Sequence, residues 1–274
     1  MGVKIAAIQM DIIHKDPEGN RKLAKRLMQE ALVGQPDILV LPETWTTGYS
    51  EEVFATTANY AETAEGPSVT MLRDFAKANG IWIAGGSLVE RYNDKLYNTV
   101  FLIDRQGDIR GRYRKMHLYS AMDEDKGFSH GTEMPVFDTE FGKLALMTCY
   151  DIRFVELSRT YAVGGAQMII VVSNFPKPKL HHWRLLLQAR AIENQLFVVA
   201  CNRVGKAGPS DYFGHSIIVD PWGEVLTEAG EEETILHAEL DPAAVQAVRE
   251  KIPMYYDRRP ADYPNTILKK AEWV

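Results

Sequence analysis

Apolar residues along this chain fall into short unbroken runs, separated by longer stretches in which they return every three or four positions. The runs ILVL (38–41), LALM (144–147), MIIVV (168–172) and LFVVAC (196–201) contain no polar alternation. A strand with one solvated face alternates, so these runs predict central strands covered on both sides. Helical periodicity fills the gaps: over 19–33, Leu23, Leu27 and Ala31 share a face, with Ala24 and Met28 alongside. The pattern predicts strands near 3–10, 37–41, 81–85, 97–103 and 109–114, with helices near 19–33 and 68–79. Ser68 is the expected cap of the second helix and Asn79-Gly80 its stop. The order recurs further on, with a strand at 143–148, a helix at 153–163, a strand at 167–172 and a helix at 180–194. Strands near 196–201, 214–219, 223–227 and 234–239 follow, then a short helix opened by Asp241-Pro242 and an extended tail over 253–274.

This alternation predicts the α/β class. If each half forms a mixed sheet with helices on one side, packing sheet against sheet buries every apolar face and gives a four-layer αββα sandwich. One open doubly wound sheet satisfies the same pattern and stays open here. Residues 1–274 are expected to form a single domain, with 46% apolar composition to fill its core. GKAGPS at 205–210 has neither dinucleotide-binding nor phosphate-loop spacing and reads as a turn.

The charge balance of −6 contains no long run of either sign, which argues against nucleic acid and membrane surfaces as partners. No apolar run nears the roughly 20 residues that a spanning helix needs. The first apolar run is cut by Gln9 and Asp11, so no targeting segment is expected and the protein reads as cytoplasmic. Two cysteines, Cys149 and Cys201, lie far apart without a CxxC, which supports neither a disulfide framework nor a zinc knuckle.

Three reactive residues stand where apolar runs stop: Glu43 after ILVLP, Lys115 at the end of IRGRYRK, and Cys149 after LALMT. Taken singly they read as a capping carboxylate, a solvated basic strand edge and a packing thiol. Together they meet the needs of thiol chemistry on a carbonyl. A lysine about 4 Å from the sulfur, at an effective dielectric of about 20, attracts a thiolate by about 4 kcal/mol. Lys115 is therefore expected to draw the thiol below its ordinary pKa of about 8.5. Glu43 is expected to hold the lysine, take the thiol proton and later activate water. A helix just after Asp151 would aim backbone N–H groups at the strand end, with the Tyr150 N–H as a donor for an oxyanion.

The segments LPETWTTGY (41–49), RKMHLY (114–119) and CYDIRF (149–154) resemble the three signature blocks of the nitrilase superfamily of carbon–nitrogen hydrolases. The resemblance spans nearly the whole chain. It implies an αββα sandwich, an amide hydrolase without cofactor or metal, and a homodimer or higher homo-oligomer formed through the helical face beside the cysteine. Carried over by position, Glu43 is the general base, Lys115 the oxyanion-stabilising cation and Cys149 the nucleophile. Glu124, in MDEDKGFSHG between Asp123 and Asp125, matches a second glutamate of many members. The stretch 175–205 resembles the ω-amidase branch, which hydrolyses the terminal amide of short 2-oxo-dicarboxylic acid monoamides such as 2-oxoglutaramate. An N-carbamoyl amino acid amidohydrolase, a nitrilase and a non-catalytic scaffold with a relict pocket remain alternatives.

Arg153, four positions after the nucleophile, is expected to clamp a substrate carboxylate through its planar fork of donors, unless it pairs with Glu156 at i+3. Tyr49, Asn174 and Phe175 are expected in the pocket walls, on loops that follow strands. His117 lies two positions from Lys115; on one strand both face the same side, which places it near the triad and keeps a Cys-His mechanism open. Cys201 is expected in the core, and Arg190 and Glu193 as an internal ion pair. His181-His182 has no third ligand at suitable spacing for a metal.

Overall fold

The non-alternating runs become the middle strands of two six-stranded sheets in a computed structural model that describes residues 2–263. The first half of the chain contributes β1 (Val3–Gln9), β2 (Ile38–Val40), β3 (Trp82–Tyr92), β4 (Lys95–Ile103) and β5 (Ile109–Arg114). The second contributes β6 (Val136–Thr139), β7 (Gly142–Thr148), β8 (Met168–Ser173), β9 (Phe197–Asn202), β10 (Val204–Ala207), β11 (Ser210–Phe213), β12 (Ile217–Val219), β13 (Val225–Glu228) and β14 (Thr234–Leu240). One sheet runs β14-β1-β2-β3-β4-β5 and the other β13-β12-β9-β8-β7-β6. In each, a parallel centre is flanked by antiparallel strands: β1-β2-β3 in the first and β7-β8-β9 in the second.

Successive residues of a strand point to opposite faces, and here the two faces meet different partners. Val3, Ile5 and Ala7 of β1, Ile38 and Val40 of β2, and Val100 and Leu102 of β4 pack into one core with the second sheet. Their neighbours Ala6, Ile8, Leu39, Phe101 and Ile103 pack instead against Ala24, Leu27 and Met28 of the helix Pro17–Ala31 and Leu72 and Phe75 of the helix Pro67–Asn79. The second sheet is covered in turn by the helices Val155–Val163 and Leu180–Asn194, through Leu157, Tyr161, Trp183 and Leu187. The result is the four-layer αββα sandwich. Each fully buried aliphatic side chain in it contributes about 1.5–3 kcal/mol, so the face between the sheets is a dominant source of stability. Cys201 lies on that face, completely buried, with its thiol 3.1 Å from the Ile8 carbonyl oxygen of the other sheet.

The division by halves is corrected at one strand. β14 comes from the second half yet pairs antiparallel with β1 across its full length, from Val3↔Leu240 to Gln9↔Thr234. β1 has β2 on only one side, so its other edge is closed by the returning chain. The expected strand at 81–85 runs on to Tyr92 and turns back into β4 through Asn93 and Asp94, both at positive φ (46° and 60°), the backbone of a tight hairpin. β6 and the β10–β11 hairpin have no counterpart in the sequence expectation, and GKAGPS lies within that hairpin. The expected strand at 214–219 shortens to Ile217–Val219. Ser68 does not cap its helix: Pro67 is the first helical residue, and the Ser68 N–H and hydroxyl both donate to Glu62, at 2.8 and 2.6 Å. Gly80 ends that helix at φ 62°, as expected of Asn-Gly. Of the expected tail, Met254–Asp257 forms one helical turn and Pro260–Asp262 a 3₁₀ turn, and 264–274 fall outside the described residues.

Ile5→Ala opens a cavity between the sheets and is expected to lower unfolding stability by about 2–5 kcal/mol, read as a shift in denaturant midpoint. Ile13→Ala, at a side chain 46% exposed, is expected to stay within about 0.5 kcal/mol. Equal losses at the two sites would contradict the two-sheet core.

Candidate active site

Four strand ends converge at one edge of the sandwich. Glu43 lies just past β2, Lys115 is the first residue after β5, Cys149 the first after β7, and Asn174 the first after β8. Glu43, Lys115 and Glu124 have no exposed surface. The Lys115 ammonium donates at 2.8 Å to Glu43 Oε1 and at 2.8 Å to both oxygens of Glu124. Asn98 Nδ2 bridges the two acids, at 3.0 Å from Glu43 and 3.1 Å from Glu124. The remaining lone pairs are also met: Tyr49 OH and the Tyr119 N–H donate to Glu124, each at 2.7 Å, and the Asn174 N–H donates to Glu43 Oε2 at 2.8 Å. Glu124 occupies this cluster, while the flanking Asp123 is half-buried and Asp125 exposed.

Burial by itself would push the Lys115 ammonium toward neutrality, but the Glu124 and Glu43 carboxylates outweigh it and hold the lysine charged. Burial and the Glu124 charge raise the Glu43 carboxyl above its usual range against the pull of Lys115, which brings it closer to exchanging protons near neutral pH. The thiol departs from expectation. Burial raises the Cys149 pKa first, the Glu43 charge raises it further, and the Lys115 attraction only partly opposes them. Burial is the larger cause and the charge count adds to it: one cation shared between two acids leaves the sulfur no net positive neighbourhood, which favours the neutral thiol.

Cys149 sits at φ 46°, in the left-handed region that side chains rarely adopt. It opens a 3₁₀ turn, Cys149–Arg153, whose first N–H groups, including that of Tyr150, have no partner within the turn. Asp151 holds this bend: its buried carboxylate accepts from the Thr148 N–H at 2.9 Å and from Tyr113 OH at 2.6 Å. The helix expected to follow directly starts at Val155, one turn later.

Cys149 lies on the wall of a cavity of about 290 Å³, shared with Tyr49, Tyr150, Arg153, Asn174 and Phe175. Tyr119, Met122, Pro176 and Lys179 complete its lining. Arg153 makes no ion pair with Glu156; its guanidinium lies 5.5 Å over the Phe175 ring, with Nη2 3.4 Å from His182 Nδ1. His117 does not line the cavity. β5 stops at Arg114, so the strand rule does not extend to His117, whose ring stacks on Phe154 at 3.7 Å and whose Nδ1 pairs with Asp151 at 2.8 Å. Arg190 and Glu193 do pair, at 2.7 Å. Sequence reading passed over Asn98, Asp151 and Lys179. The amide of Asn98 within the strand LYNTV was a signal, because a buried polar side chain needs partners.

A raised thiol pKa means a smaller thiolate fraction at pH 7 than in a free thiol, and a fraction that grows as pH rises. Alkylation of Cys149 by iodoacetamide is therefore expected to be slower at pH 7 than that of a model thiol and to climb without a plateau up to about pH 9, the ordinary thiol pKa being about 8.5. A plateau below pH 8 would show a preformed thiolate.

Known proteins resemble this chain over most of its length. The family model for carbon-nitrogen hydrolases matches residues 4–250. The 2-oxoglutaramate amidase of Bacillus subtilis is 42% identical over 258 residues, covering 93% of this chain and 97% of that protein. An ω-amidase of Mus musculus is 35% identical over 266 residues, covering 93% and 95%. Among solved structures, a variant of the amidase from Nesterenkonia superposes with a TM-score of 0.79 at 28% identity, covering 93% of this chain and 96% of that one. It shows covalent addition of the acetamide moiety of fluoroacetamide at its active-site cysteine. With a buried acid-lysine-acid cluster beside a cavity-lining cysteine, and a family match over nearly its full length, this chain belongs to the carbon–nitrogen hydrolase family of the nitrilase superfamily.

Proposed function

We propose that the protein hydrolyses the terminal amide of a short 2-oxo-dicarboxylic acid monoamide, such as 2-oxoglutaramate, through a cysteine thioester. The observation that carries this reading is the polarity of the cavity: Cys149, backed by the buried acids, and the guanidinium of Arg153 share its small volume. An amide placed at the sulfur leaves a carboxylate at the other end of a short substrate within reach of a cation whose donor fork suits it. The named activity of the Bacillus subtilis relative is consistent with that substrate.

In this mechanism Glu43 takes the Cys149 proton as the sulfur adds to the amide carbon. The tetrahedral oxyanion is held by the Tyr150 N–H and the positive field of Lys115, each such donor being worth about 3 kcal/mol. Glu43 returns the proton to the nitrogen, ammonia leaves, and a thioester remains. Water then gives a proton to Glu43 and adds to the thioester carbon; collapse releases the acid, and the sulfur regains its proton. Glu124 keeps the Lys115 ammonium in place, and Tyr49 orients Glu124.

The protein is further proposed to act in the cytoplasm as one domain in a homodimer or larger homo-oligomer. Among the described residues no helix is long and apolar enough to cross a membrane. Val155, Val163, Leu185 and Ile192 lie exposed on the two helices that cover the cysteine-bearing sheet, which supports self-association there.

Ammonia release is expected with 2-oxoglutaramate and 2-oxosuccinamate, and far less with glutamine, an N-carbamoyl amino acid or an aliphatic nitrile; turnover of only the last two would overturn the substrate assignment. Cys149→Ala is expected to abolish turnover in a folded protein. Lys115→Ala should lose activity and also about 3–5 kcal/mol of stability, because it strands two buried acids.

A further inference from the structure

The cavity carries a second cation. Lys179 lies just before the helix Leu180–Asn194, with its ammonium 3.4 Å from Tyr119 OH and 5.1 Å from the centre of that ring. Among the described residues it forms no salt bridge, and neither does Arg153. Both line the same cavity as Cys149, whose remaining walls are largely aromatic. Two half-exposed cations without acidic partners give one wall of this small cavity a net positive charge.

The base of the cavity has the opposite sign. Two carboxylates against one ammonium leave a net negative charge behind Cys149. An anionic substrate group is repelled from that end and drawn to the cationic wall, which fixes the direction in which a bifunctional substrate enters. Arg153, with a planar fork, matches the two oxygens of a carboxylate; Lys179, a compact point charge with rotatable donors, matches a single oxygen beside it. In a 2-oxo acid that neighbour is a carbonyl oxygen, which accepts. In an α-amino acid it is an ammonium, which Lys179 repels at short range.

We propose that Lys179 is a specificity-determining residue that reads the 2-oxo group next to the substrate carboxylate and rejects an α-ammonium there. This rests on the substrate reading above and goes beyond it by assigning the discrimination between 2-oxoglutaramate and glutamine to one side chain.

Two measurements separate the two readings. In steady-state assays, Lys179→Met is expected to lower kcat/KM for 2-oxoglutaramate by at least tenfold, mainly through KM, while glutamine turnover stays level or rises; Lys179→Arg should restore most of the loss. Independently of turnover, 2-oxopentanoate, which has the 2-oxo carboxylate but no second acid group, is expected to protect Cys149 of the unaltered protein from iodoacetamide, and Lys179→Met should raise the half-protecting concentration at least tenfold with the unprotected alkylation rate within threefold. Protection that is absent, or the same in Lys179→Met, overturns the role of Lys179, as does a loss shared equally by 2-oxoglutaramate and glutamine. If the unaltered protein is protected in this Lys179-dependent way but does not release ammonia from 2-oxoglutaramate, the substrate assignment fails while the recognition of a 2-oxo carboxylate by Lys179 stands.

Discussion

A lysine ammonium with no exposed surface, held between two equally buried carboxylates, is the interaction on which the rest of this structure depends. Each ion taken out of water costs several kcal/mol, and attraction within the cluster offsets that only if every remaining lone pair finds a donor. Here the donors come from distant parts of the chain: Asn98 on β4, Tyr49 and Tyr119 on loops, and the Asn174 N–H beyond β8. The two-sheet core is what keeps them in register. β2 and β5 belong to one sheet and β7 and β8 to the other, so the cluster and its cysteine straddle the sheet interface and inherit its rigidity.

That cluster also sets how the sulfur reacts. A lysine considered alone predicts a thiolate; here burial of the sulfur, with the Glu43 charge added to it, outweighs the attraction of a lysine already shared by two acids. In the proposed mechanism the sulfur stays neutral until Glu43, whose carboxyl is itself pushed up by burial, removes its proton during attack. A neutral resting thiol in a small cavity is less open to stray alkylation and oxidation, which depend on the thiolate. The same charge arrangement gives the cavity its polarity, negative behind Cys149 and positive at Arg153 and Lys179.

Much of the fold was legible because burial on both faces leaves a plain trace. Runs such as MIIVV and LFVVAC marked β8 and β9, and the face of Leu23, Leu27 and Ala31 marked the first helix. The short β6 and the β10–β11 hairpin left no such trace: with four residues each, mixed in polarity, they are held by pairing with neighbours rather than by their own pattern. Ser68 misled for a similar reason. Its hydroxyl suits a cap, but Pro67 already sat at the first helical position and Glu62 supplied the partner that a cap would have made unnecessary.

The sequence alone determined most of the strands and helices and singled out the candidate reactive groups, since burial period and residue type are local properties. Glu43, Lys115 and Cys149 stood out because each is a reactive residue type at the end of an expected strand, within a segment resembling a family signature block. Only the tertiary structure decided what surrounds them: that Glu124 turns inward and its acidic neighbours outward, that His117 leaves the strand and packs on Phe154, that β14 crosses to the first sheet, and that Lys179 reaches the cavity from a helix start. Protonation, charge pairing and edge closure depend on distances between segments far apart in the chain. Those distances come into being only when the two sheets close on each other.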